Sequence, residues 1–110
     1  MAVSFELHKN EKGQFHFSLK AADGGTLLRS EQYESKASAE NGIASVKKNS
    51  LLPERFEKLV ASDGRAYFTL KAANHQVVGT SPMFGTTDQR DAMLALAHAE
   101  TEHAAVHDHT

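Results

Sequence analysis

Histidine is the residue type through which this chain of 110 residues could do chemistry. His98, His103, His107 and His109 crowd the C-terminal end, with Glu102 among them. His103 and His107 are four positions apart, so on a helix they would share a face and could chelate a metal ion through their imidazole nitrogens. On a strand, His107 and His109 would share a face instead. The alternative is a solvated tail that chelates weakly. The chain has no cysteine, which removes disulfides, thiol catalysis and Cys-based zinc sites.

Other catalytic signatures are absent or accidental. Ser45-x-x-Lys48 has the spacing of a Ser–Lys pair, but it falls on a polar helix flank with no second motif. There is no Gly-rich phosphate loop and no Gly-x-Ser-x-Gly. The carboxylate pairs Glu31/Glu34 and Asp88/Asp91 sit at helix approaches, where they favour the positive end of the helix dipole. The chain is therefore read as a non-enzyme that needs no cofactor. Net charge is −2, with seven Lys/Arg and six Asp/Glu in residues 1–53 and five and eight in residues 54–110. Neither half has the basic surplus on which phosphate binding relies.

The elements that must position these residues come twice. Phe17-Ser18-Leu19-Lys20-Ala21-Ala22 returns as Phe68-Thr69-Leu70-Lys71-Ala72-Ala73, and a shift of 51 positions holds without a gap from Phe5/Phe56 to about Asn49/Glu100. Each copy is near the lower size limit for a core of its own, so the copies are expected to share one. Residues 1–110 read as a single domain. Repeat one spans about 5–50, repeat two about 56–101, and a C-terminal strand about 104–108.

Phe5 to Lys9 alternates apolar and polar residues, as does Gln14 to Lys20. Between them Asn10-Glu11-Lys12-Gly13 suits a three-residue hairpin loop, which sets Leu7 opposite Phe17 and Phe5 opposite Leu19. Asp23-Gly24 predicts a two-residue type I′ turn that pairs Ala22 with Gly25. Leu28 then faces Leu19, and Leu27 is left on the outer face of the sheet. Ser35 caps a helix from Lys36 to about Asn49, with Ala39, Ile43 and Val46 as its inward stripe. Gly42 lies mid-helix at a cost of about 1 kcal/mol against alanine, for which close approach to the sheet is the expected compensation. Asn49 suits a left-handed cap. In repeat two Asn74-His75 replaces Asp-Gly, with Asn74 tolerating positive φ. Thr86 caps the second helix, and Gln89 completes a possible capping box. Gly79 replaces Leu28 and Met93 replaces Gly42, a pair that could compensate in size. By the same shift His107 corresponds to Phe56, so residues around Ala104 to Asp108 read either as a matching strand or as a frayed tail.

This register puts His8 opposite His16 on the outer face, beside Ser18, Lys20, Leu27 and Arg29. Repeat two adds Leu59, Tyr67, Thr69, Lys71 and Val78. Such a face could bind a partner, a peptide or a single strand by stacking, or could be an ordinary solvated face. Tyr67 is its only aromatic residue, which weakens a stacking role.

The Phe5-Glu6-Leu7 strand, Gln14 to Ala22, and above all the helix motif Ser35-Lys-Ala-Ser-Ala-Glu-Asn-Gly-Ile-Ala-Ser-Val-Lys-Lys-Asn49 resemble the YegP-like family of small uncharacterised proteins in its duplicated form. The resemblance covers essentially the whole chain. Repeat two departs from it where Gly42 to Val46 has become Met93 to Ala97. The resemblance implies β-β-β-α-β units, two of which form one antiparallel sheet with exchanged C-terminal strands, and it implies no activity.

The expected fold is α+β, with tandem β-β-β-α-β repeats, one antiparallel sheet and both helices on one face. The expected function is a small non-enzymatic module binding protein or peptide through the outer sheet face or an edge, by way of His8, His16, Lys20, Arg29, Tyr67 and Lys71. One alternative is a nucleic-acid-associated protein using Lys20, Arg29, Lys36, Lys47, Lys48 and Tyr67. The other is a metal-responsive protein using His103, His107 and His109. No apolar run approaches the roughly 20 residues that span a bilayer, and the N-terminus has no signal-peptide pattern. A cytoplasmic monomer, its repeats forming an internal pseudo-dimer, is the resulting expectation.

Overall fold

The computed structural model describes residues 3–110. Its elements run β1 (Ser4–Lys9), β2 (Phe15–Lys20), β3 (Thr26–Arg29), α1 (Lys36–Asn49), β4 (Phe56–Val60), β5 (Ala66–Lys71), β6 (Val77–Thr80), α2 (Thr87–Glu100) and β7 (Ala105–Asp108). Short 3-10 turns at Pro53–Arg55 and Thr101–His103 lead from each helix into the following strand. The seven strands make one sheet in the order β4-β5-β6-β3-β2-β1-β7. The two repeats meet at its centre, where Arg29 of β3 pairs with Thr80 of β6.

One face of the sheet carries the core. Phe5, Leu7, Phe17, Leu19, Phe68 and Leu70 are buried there with Ala39, Ile43 and Val46 of α1 and Ala97 of α2. At roughly 1.5–3 kcal/mol per fully buried large side chain, this shared layer supplies what neither repeat has alone. The aromatic packing is itself duplicated. Phe17 stacks on Tyr33 with centroids 6.1 Å apart, and Phe68 on Phe84 at 6.3 Å.

The first hairpin has the expected register: Asn10 N–H donates to Gln14 O, Leu7 faces Phe17 and Phe5 faces Leu19. The second hairpin differs. Ala21 N–H donates to Gly25 O and Gly24 N–H to Ala21 O, so the loop has three residues rather than two. Gly24, at φ +87°, supplies its left-handed position. That closure alone would set Leu19 against Leu27. The register then shifts between Leu19 and Lys20, so Lys20 faces Thr26 while Leu19 faces Leu28. Leu27 is the extra residue of this β-bulge. It is fully buried, as is Leu28 at 1% exposure, so its expected place on the outer face is wrong.

Repeat two has the same bulge. Lys71 faces Val77 and Leu70 faces Gly79. Val78 thereby leaves the outer face and packs against the core. The left-handed residue of its loop is His75, at φ +68°, rather than Asn74. Asn74 instead accepts a hydrogen bond from Gln76 N–H through its side chain.

Both helices start as expected. Ser35 Oγ accepts from Ser38 N–H and Thr86 Oγ1 from Gln89 N–H. Gln89 Oε1 reaches back to Gly85 N–H, one residue before the cap. α1 ends on Ser50 in a right-handed conformation, so Asn49 is no left-handed cap. Its buried side chain instead donates to Ser45 O and accepts from Arg55 Nη1. A Cβ on Gly42 would stand 2.6 Å from the Tyr33 hydroxyl and 2.9 Å from Phe17 Cε2, which is the close approach expected of it. Gly79 makes room for Leu28 of the neighbouring β3, not for Met93.

Two details of the sheet also differ. β1 and β7 run parallel, so the sheet is mixed rather than wholly antiparallel. β7 runs opposite to β6, the strand before α2, so α2 returns the chain to the end of the sheet where β6 finishes, which is the end where β1 begins. The strand exchange also runs one way. β7, at the end of repeat two, pairs with β1 of repeat one. The residues that correspond to it after α1, 54–57, are already used to enter β4. The outer side of β4 therefore lacks the neighbour that β1 has.

Candidate functional site

Both helices lie on the core side, so among the described residues no helix covers the opposite face of the sheet. Successive residues of a strand alternate between faces, and this places Glu6 and His8 of β1 on the open face. His16 of β2 is opposite His8. The parallel register sets His107 opposite Glu6 and Leu7 opposite Asp108, which leaves His109 beside His8. Five residues from three strands converge at one corner.

The corner is tightly connected. Glu6 Oε2 lies 2.9 Å from His107 Nδ1, and Glu6 Oε1 lies 2.9 Å from His109 Nε2. The ring of His8 is sandwiched: it stacks on His109 with centroids 4.8 Å apart and on His16 at 5.6 Å. Nδ1 of His16 is buried and has no hydrogen-bond partner among the described residues. The His109 hydrogen bond, with help from His107, holds the Glu6 carboxyl below its ordinary value. Beside the cluster, Lys36 at the start of α1 pairs with Asp108 at 2.5 Å. This pair holds the Asp108 carboxyl well below the usual range and raises the Lys36 amine.

Burial, and secondarily the charge of His8, pushes the His16 imidazole below its ordinary value of 6.5. Its folded state binds a proton more weakly than the unfolded chain does. Its neutral form is therefore fully compatible with folding above that value, and stability falls as pH drops below it. In chelator-treated protein the His16 ring is expected to titrate by NMR with a midpoint below 6.5. A midpoint at or above 6.5 would contradict the burial argument.

The other predicted residues lie elsewhere. Lys20 donates to Thr26 Oγ1 at 2.9 Å. Arg29 is at the sheet centre, between Ser18 and Thr80. Tyr67 faces Leu59, and Lys71 pairs with Glu57 at 3.1 Å. β5 is three strands from β2, about 14 Å at the usual spacing, so Tyr67 and Lys71 share no site with His8 and His16. Repetition of Lys20 at Lys71 reflects the duplication, with different partners in each copy.

Nor do the proposed metal ligands stay together. His103 is in the 3-10 turn and pairs with Glu102 at 3.4 Å, so it shares no helix face with His107. His107 and His109 do share a face, as a strand requires. His98 is withdrawn from the tail: its Nδ1 lies 2.8 Å from Ser50 O and its ring packs edge-on to Phe56. Glu6 was missed because nothing in a lone strand marks it. The signal was available in the 51-residue shift, which offered a strand for His107 but not that strand's place beside β1.

The cations invoked for nucleic acid are divided between two layers. Lys36, Lys47 and Lys48 belong to α1 on the core side, and Lys47 lies over the Phe5 ring. Lys20, Arg29 and Tyr67 belong to the sheet. Among the described residues no helix is long and apolar enough to cross a membrane.

Known proteins resemble this chain along its length. A family model described as a domain of unknown function, DUF1508, matches residues 10–57 and again residues 61–108, the same 51-residue offset. The UPF0339 protein YegP of Escherichia coli K12 is 51% identical over 110 residues, covering all of both chains. A UPF0339 protein of Pseudomonas aeruginosa is 43% identical over 108 residues, 98% of each chain. The solution NMR structure of E. coli YegP, described as a protein of unknown function, superposes with a TM-score of 0.92 over 100% of this chain and 95% of that one. A UPF0339 protein of Shewanella oneidensis gives a TM-score of 0.92 at 42% identity, over 98% of this chain and 92% of that one.

Proposed function

The chain belongs to the UPF0339 family that includes YegP, and on that premise we propose a small non-enzymatic interaction module that takes an extended segment of a protein partner along the β4 edge. The observation that carries this reading is the asymmetry of the two sheet edges. The sheet has already accepted one added strand, β7 along β1, and among the described residues the slot that corresponds to it along β4 holds none.

The backbone chemistry supports the slot. Ala61 N–H donates to Arg65 O across the β4–β5 hairpin. By alternation Glu57 and Leu59 bond inward to β5, and Phe56, Lys58 and Val60 present their backbone groups outward. On the other edge the corresponding Leu7 O accepts from His109 N–H. An extended segment would thus gain main-chain hydrogen bonds, with specificity from side chains on alternate faces. Val60 is 62% exposed at the end of the edge. Leu7 is buried in repeat one, whereas Lys58 in its place is exposed and pairs with Asp91 at 3.4 Å. A short edge strand with a central lysine resists indiscriminate pairing, which suits reversible engagement. Glu57 stands where Glu6 receives His107 and His109, and it is already engaged by Lys71 from the neighbouring strand.

The test is a backbone-amide NMR titration with fractionated native extract, followed by the purified responding peptide. Shifts should concentrate at Phe56–Val60. Lys58→Pro deletes an outward N–H without touching the β4–β5 ladder, so it should preserve the fold and weaken binding at least tenfold, the loss of a hydrogen bond that the partner's buried carbonyl needs. Undiminished binding by this variant would reject strand addition at β4.

A further inference from the structure

We propose that Glu6, His8 and His109 form a binding site for a divalent transition-metal ion, of the zinc, copper or nickel class, on the open face of the sheet. The site is at the opposite end of the sheet from β4 and does not depend on the edge reading. One ligand atom from each of the three residues lies within 4.8 Å of the other two. The fold assembles them from the two ends of the chain. Glu6 and His8 are two apart on β1 and so share a face, and β7 delivers His109 alongside.

The chemistry selects the class of ion. Two imidazole nitrogens and one carboxylate oxygen suit borderline ions such as Zn²⁺, Cu²⁺ and Ni²⁺, whereas Ca²⁺ and Mg²⁺ prefer all-oxygen sets. Tetrahedral zinc at about 2.0–2.2 Å from each ligand atom holds neighbouring ligand atoms about 3.3–3.5 Å apart. Glu6 Oε1 and His109 Nε2 already stand 2.9 Å apart, joined by one proton. A metal ion would take the place of that proton, and His8 would close on it by rotating its ring out of the stack.

Surrounding residues prepare the site. His107 holds the second oxygen of Glu6 through Nδ1 at 2.9 Å, which orients the carboxylate as outer partners of metal ligands do. His16 backs the ring of His8 on the side away from His109. The Glu6 side chain is 22% exposed and that of His109 46%. Water can therefore complete the coordination. Because the ligands come from β1 and from the end of β7, the ion would also fasten the strand that crosses from repeat two to repeat one. His103 is no part of this site, since it pairs with Glu102 on the preceding turn.

The experiment is a Zn²⁺ titration of the full-length, chelator-treated protein, read by calorimetry and by ¹⁵N shifts of the histidine rings. One equivalent is expected to move the His8 and His109 ring nitrogens together. His8→Gln, Glu6→Gln and His109→Gln should each weaken binding at least tenfold, with His103→Gln as the unaffected control. Each variant is checked by its amide spectrum. If His8→Gln is misfolded, the wild-type ring shifts decide. A response confined to His103, His107 and His109, or unchanged affinity in folded His8→Gln, would overturn the site. Equal binding of Ca²⁺ or Mg²⁺ would overturn the assigned class of ion.

Discussion

Replacing Leu27 by alanine is expected to lower the unfolding free energy by about 2–5 kcal/mol, the range for truncating a buried leucine. Plain strand alternation predicts almost no effect, because it assigns Leu27 to the solvent face. The difference comes from the bulge between Leu19/Lys20 and Leu27, which turns two consecutive leucines to the core side. Leu27 is fully buried in the layer formed with both helices. Its truncation removes the transfer free energy of the side chain and leaves a cavity where the two repeats share their core. Small domains are stable by about 5–15 kcal/mol in total, so the loss is a large fraction of the whole. Urea denaturation of wild type and variant measures it directly. A change below about 0.5 kcal/mol, the range of ordinary surface substitutions, would place Leu27 outside the core and remove the bulge.

The second large effect reverses a helix-propensity rule. Gly42→Ala in α1 should gain about 1 kcal/mol if only the helix mattered. The added methyl would stand 2.6 Å from the Tyr33 hydroxyl and 2.9 Å from Phe17 Cε2, both closer than packed atoms tolerate. Neither ring yields easily. Phe17 is 1% exposed, it meets Phe5 edge-on at 5.7 Å, and Tyr33 is stacked on it. Overpacking of this kind costs about 1–3 kcal/mol, so the net change should be destabilising. Gly79→Ala provides the comparison. Its methyl would meet Leu28 at 3.4 Å, an ordinary contact, so a much smaller change is expected. The same denaturation series measures both. Stabilisation by Gly42→Ala would mean that α1 sits farther from the sheet than the contacts with Tyr33 and Phe17 imply.

The two ends of the sheet suggest different uses of one duplication. Two copies of the same hairpins and helix produce a pseudo-symmetric body, but the segment after α1 enters β4 whereas the strand after α2 crosses to β1. That strand closes one edge and brings two histidines to Glu6 and His8. The other edge stays open, and there the buried Leu7 of repeat one is replaced by the exposed Lys58. The proposed partner edge and the proposed metal corner both follow from this one departure from symmetry.

The amino-acid sequence by itself determined the duplication, the two helices with their Ser35 and Thr86 caps, and the first hairpin with its register, while it left the last strand open against a frayed tail. These rest on local signals: a repeat at constant offset, hydroxyl caps, a left-handed glycine, and apolar alternation. It also marked His8, His16, His107 and His109 as chemically capable, in two separate groups. Tertiary structure decided what local patterns cannot carry. A bulge changes which face a residue occupies without changing the residues themselves, and so Leu27 and Val78 turned inward. The partner and direction of β7 depend on where α2 leaves the chain relative to β1, a distance of about a hundred residues along the sequence. Only that pairing joined the two histidine groups and added Glu6, because a site built across a parallel strand pair exists in the register between the strands and in neither strand alone.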